Sequence, residues 1–169
     1  MSAIKKRKLF CELSPACYHI SLRKEYLLRD IHDRFSGETF ARTRNTVPFS
    51  AVVKSHSSNA LRRLEGVDME LQRNKLVNLR LASAQINGLV VQPGETFSFW
   101  KLVGEPSAKR GYLDGLVISA GKIGCGVGGG LCQLANLIHW LVLNSPLTVT
   151  ELVHHSCLLY TSPSPRDRS

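Results

Sequence analysis

No apolar stretch in these 169 residues approaches the ~20 that a membrane-spanning helix requires. The best segment, Leu131–Leu143, is too short and carries Gln133, Asn136 and His139. A secretory leader is not expected either. Lys5, Lys6, Arg7 and Lys8 imitate its basic start, but Glu12, Ser14, Pro15 and His19 break the apolar stretch after them, and there is no clean cleavage site. The expected location is therefore the cytoplasm. Cysteine is scarce and odd in number: Cys11, Cys17, Cys125, Cys132 and Cys157. That argues against a disulfide framework, and in a cytoplasmic chain these thiols stay reduced. There is no internal repeat. The glycine-rich run GCGVGGGLCQ lacks both the P-loop Lys-Ser/Thr and a true dinucleotide fingerprint, so no cofactor is expected. Basic residues are not interleaved with aromatics, and no nucleic-acid motif is present, so nucleic acid is not an expected partner.

What is present is a globular composition, 43% hydrophobic and 21% charged. Acidic residues are the minority, 13 Asp and Glu against 22 Lys and Arg. The surplus sits in the first 80 residues, which hold 16 basic and 8 acidic side chains. A solvated basic face accounts for this. The sharper reading is peripheral contact of the basic N-terminal half with an acidic surface.

The spacing predicts a helix over 12–35 closed by Gly37, a strand at Val47–Val53 and a polar loop over 54–70. A second helix is predicted from about Asn74 to Asn87, with Leu76, Leu79, Ala82, Ser83 and Ile86 inward. Leu89–Val91, the turn pair Pro93-Gly94 and Thr96–Trp100 read as a β-hairpin near 89–100. Leu113–Ala120 reads as a strand, Gly121–Gly130 as a loop, Leu131–Leu143 as a buried helix and Leu147–Val153 as a strand. Irregular mixing of strands and helices favours a single-domain α+β fold.

The chemistry-bearing feature is the turn Gly128, Gly129, Gly130 that delivers Cys132 and Gln133 to the start of a helix. Such a turn presents backbone N–H groups, and the positive helix end favours a thiolate and other anions. Those N–H groups could form an oxyanion hole. His139 lies seven positions on, about two turns away, and reads as a partly buried structural histidine. His154 and His155 end the last strand and point to opposite faces; Glu151 shares a face with His155 and could orient it. The alternative is that Cys132 is a small buried hydrophobe. A metal site of Cys125, Cys132, His139 and a later histidine matches no standard spacing, and no metal is expected.

These segments together resemble the VanW-like family. They are NKLVNLRLASAQINGLVVQPGETFSFWKLVG at 74–104, GYLDGL at 111–116, GGGLCQLANLIHW at 128–140, and the HHS that ends at Ser156. The resemblance spans about 40–156, leaving 1–39 as an N-terminal helical basic segment. It implies an association with glycopeptide resistance or cell-envelope processes, not a particular reaction. By motif, Cys132 and Gln133 take the family's Cys-Gln positions and His155 its histidine; Val153 stands where relatives often carry another histidine. The family continues through a β-rich segment with an Asp-Ala signature that is not found here. Residues 157–169 change character, and CLLYTSPSPRD matches one reading frame of a sequencing-library adapter. They are read as a non-native tail on a truncated product, which removes Cys157 from consideration.

Two readings stay open. In one, Cys132 is a nucleophile and His155 its base, in acyl transfer or hydrolysis on a peptidoglycan-related substrate. In the other, the chain is a non-catalytic binding or scaffold module whose glycine turn is structural or holds a peptide carboxylate. Its ligand would be a cell-wall precursor or peptide. Nothing in the sequence sets an oligomeric state.

Overall fold

The computed structural model describes residues 14–61, 68–119 and 122–151. Two compact units divide them: 14–40 with 92–96, and 41–91 with the residues from 97 onward.

The first unit is built on α1 (Pro15–Phe35). Ser14 starts the helix by accepting the Cys17 N–H at 3.1 Å, and Pro15 occupies the first position, where no N–H is needed. The Ser36 N–H returns to the His32 carbonyl, and Gly37 leaves at φ 71°. Arg29 reaches buried Asp33 one turn on, at 3.1 Å. Beyond the helix, β1 (Thr39–Phe40) pairs in parallel with β2 (Glu95–Thr96). The predicted Pro93-Gly94 turn forms: Glu95 donates to the Gln92 carbonyl at 2.9 Å, and Gly94 has φ 81°.

The hairpin near 89–100 does not form around that turn. Leu89 bridges Arg44, Val90 donates to the Thr43 carbonyl, and Glu95–Thr96 takes β1 as its partner. The supposed returning strand is a helix, α3 (Phe99–Val103), because Ser98 caps it by accepting the Lys101 N–H. A stretch as short as five residues fits either period, and the capping serine decides.

In the second unit, α2 (Met69–Ala84) begins earlier than expected because Asp68 caps it, accepting the Glu70 N–H at 2.8 Å. It packs on β3 (Asp114–Ser119) and on α4 (Leu131–Leu143). β3 pairs antiparallel with β4 (Lys122–Val127), with Gly115 opposite Gly126 and Val117 opposite Gly124. Of the loop predicted at Gly121–Gly130, residues 122–127 are strand and Gly128–Gly130 turns, while Gly121 lies outside the described residues. Ala82, Val103 and Tyr112 form the core, with Leu81, Ile86, Phe99, Leu131 and Leu134 packed on it.

Three further expectations are corrected. Val47–Val53 is irregular and exposed, since Pro48 lacks a ladder donor and no neighbouring strand among the described residues pairs with it. Residues 147–151 are not strand; β-branched residues without a partner do not make one. Helix α4 has the predicted bounds but is half-buried, with Asn136 its one buried residue and Leu143 64% exposed, because its neighbours cover only part of its circumference. The α+β class itself holds.

Candidate functional site

The turn before α4 is held by packing. All three of its glycines are buried. A Cβ on Gly129 would lie 2.1 Å from the Gly115 carbonyl carbon, so two backbones touch where no side chain fits. Gly130 caps α4 at φ 93°, and a Cβ there would meet the Lys75 stem at 2.1 Å. Gly128 faces Pro106 at 2.4 Å on the same measure.

Polar side chains of α2 complete the support. Asn78, fully buried, donates from Nδ2 to the carbonyls of Leu113 (2.9 Å) and Gly129 (3.0 Å), and its Oδ1 accepts the Leu113 N–H (2.8 Å). One turn earlier, Asn74 Nδ2 donates to the Asp114 carbonyl at 2.9 Å. The inward stripe of α2 is Gln72, Lys75, Asn78 and Ala82, largely polar, where hydrophobic spacing pointed to Leu76 and Leu79. An asparagine at i and i+4 was the available signal, but its distant backbone partners were not legible.

Several N–H groups of the turn are committed to the protein. Gly128 donates to Leu113, Gly129 to Gly126 and Gln133 to Gly130. The Gln133 side chain is engaged as well: Nε2 donates to Ser58 Oγ at 3.0 Å and to the Asn59 carbonyl at 3.2 Å. The same segment lies along α4 two turns on, where His56 stacks on Trp140 with ring centres 4.3 Å apart and Lys54 sits 4.9 Å from the ring centre. Between α2, α4 and Ser58–Ala60 lies an open cleft of about 270 Å³, walled by Leu76, Leu79, Leu134 and Leu137, with Gln133, Ser83 and Arg80 as polar members.

Cys132 lies in the first turn of α4, half-buried, and does not line that cleft. No side chain caps this helix start. Glu151 is exposed on irregular chain, so strand alternation does not orient it within the described part. His154 and His155 fall outside the described residues. His139 is half-buried on α4, and Cys125 is exposed on β4. Among the described residues no three His, Cys, Asp or Glu side chains gather as metal ligands. No helix among them is long and apolar enough to cross a membrane.

A glycine turn locked between a two-stranded ribbon and a buried polar helix face is the structural setting of the GGGLCQ motif. The family model described as "VanW like protein" matches residues 74–168, and the chain belongs to this family. It is similar to the vancomycin B-type resistance protein VanW of Enterococcus faecalis, 37% identical over 138 residues, covering 78% of this chain and 48% of that one. It is also similar to the uncharacterized protein YoaR of Bacillus subtilis, 33% identical over 90 residues, covering 53% of this chain and 30% of the other. The chain thus spans about half the length of the first relative and less of the second. No solved structure matches.

Proposed function

We propose that this chain serves glycopeptide resistance or a related cell-envelope process as a non-catalytic binding module. Its ligand is a cell-wall precursor or similar peptide with a free carboxylate, taken up in the cleft between α2 and α4. The carrying observation is the cleft itself: leucine walls suit short aliphatic side chains, and Arg80 offers a planar fork for a carboxylate. On this reading Gly128, Gly129 and Gly130 are structural, because packing against Pro106, Gly115 and Lys75 already accounts for them. Titration with an alanine-rich peptide bearing a free C-terminus tests it. Binding should disappear in Arg80→Ala and on amidation of the peptide, and survive in Cys132→Ser. Equal binding of free and amidated peptide would exclude the carboxylate role.

A second reading rests on one observation, the partly exposed Cys132 in a first helical turn that no side chain caps. Here Cys132 is the nucleophile of acyl transfer or hydrolysis on a peptidoglycan-related substrate, with His155 as base and Glu151 orienting it. Iodoacetamide labelling across pH in a full-length homologue should then show a thiol reacting well below the ordinary range, and Cys132→Ser should abolish resistance. An ordinary labelling profile with an active serine variant would remove this reading.

A further inference from the structure

The segment that lines the cleft at Ser58–Ala60 leads back to a loop with a different character. Val47, Phe49, Val52 and Val53 are 68%, 68%, 77% and 71% exposed, four large apolar side chains within seven residues. Exposed hydrophobics scattered singly need no explanation, but four within one seven-residue loop do.

The loop is tethered at both ends. On one side Asn45 donates to the Gly88 carbonyl, Arg44 bridges Leu89, and the Arg44 guanidinium donates to the carbonyls of Ala84 (3.2 Å) and Gln85 (2.6 Å) at the end of α2. Asn45 Oδ1 also accepts the Val47 N–H at 3.1 Å, turning the chain outward. On the other side Lys54 and His56 sit on Trp140, and Ser58 and Asn59 bind Gln133. The apolar residues between these two fixed points are held out from the unit they belong to.

Along the sequence, the charge flanking the loop has one sign. From Ala41 to Leu64 the sequence contains no Asp or Glu, while Arg42, Arg44, Lys54, Arg62 and Arg63 are basic. A second copy of a chain with net charge +9 would bring like charges together. A nucleic acid would satisfy the cations but leave valines and a phenylalanine without an apolar medium. An anionic bilayer satisfies both, with headgroups at the level of the cations and acyl chains beneath.

We propose that loop 47–53 docks this chain on an anionic lipid surface, inserting Val47, Phe49, Val52 and Val53 below the headgroups while Arg42 and Lys54 stay among them. This inference is independent of the cleft's ligand. The test is co-sedimentation of the full chain with vesicles of phosphatidylcholine alone and of phosphatidylcholine mixed with phosphatidylglycerol. A soluble polyglutamate competitor runs alongside. The full chain should pellet with the anionic vesicles and not with the neutral ones. The combined Phe49→Ser, Val52→Ser variant should lose at least about tenfold in partitioning. These side chains are exposed, so the variant should fold, and its far-ultraviolet circular dichroism checks that it does. Phe49→Trp adds a readout, a blue shift on anionic vesicles beyond that of the parent with its Trp100 and Trp140. The proposal is overturned if neither vesicle binds, if both bind equally, or if the serine variant partitions like the parent. A shift from Phe49→Trp no larger than the parent's overturns it, as does polyglutamate capture that matches vesicle binding and ignores the serine substitutions. The polyglutamate result would point to an acidic protein partner.

Discussion

The side chain of Asn78 and the backbone of Gly129 meet in a buried 3.0 Å hydrogen bond between residues 51 apart in sequence. The same amide makes two bonds to Leu113. Replacing it with leucine, similar in size, would leave one N–H and two carbonyls without this partner. Asn78→Leu should cost about 3 kcal/mol, seen as a lower urea midpoint with unchanged slope. An unchanged midpoint would mean that the turn is supported elsewhere.

The glycines of the motif should divide sharply under alanine substitution. Gly129→Ala drives a methyl into the Gly115 backbone and should cost about 3 kcal/mol or more. Gly126→Ala places its methyl 3.5 Å from Val117, ordinary contact, and should stay within about 0.5 kcal/mol. Equal effects in thermal denaturation would contradict the packing described for the turn.

Gln133 ties α4 to Ser58 and Asn59 through solvent-exposed bonds. Gln133→Ala should therefore lower stability by less than about 1 kcal/mol. Amide hydrogen exchange over 58–61 should nevertheless rise, because the segment loses its tether. No change in exchange would show that stacking on Trp140 alone holds it.

That stacking can be measured separately. A double-mutant cycle on His56→Ala and Trp140→Leu should return a coupling of about 0.5–1 kcal/mol. A coupling near zero would reduce the 4.3 Å ring contact to proximity.

Local signals in the sequence located α1 and α4 well. Helical spacing over 12–35 matches α1, whose Ser14 cap only the structure shows, and an apolar run after glycine announces α4 at Leu131. The position of Cys132 in the first turn of α4 was legible for the same reason. What escaped was non-local. Hydrophobic periodicity turns polar residues outward, yet Asn78 points inward because its amide can pair with backbone as another peptide group would. Glycines 124 and 126 look like loop residues until Val117 is seen lying over them in the opposite strand. The engagement of Gln133 by Ser58 and Asn59, some 75 residues away, leaves no trace in local spacing.

The Asn78 clamp also bears on how the unit assembles. Helix α2 and the β3–β4 ribbon each form from near neighbours in sequence, with little loop to close. The bonds from Asn78 to Leu113 and Gly129 span 35 and 51 residues and require both pieces to exist first. They act as a latch closed late, so their loss should speed the parting of helix and ribbon more than it slows their formation.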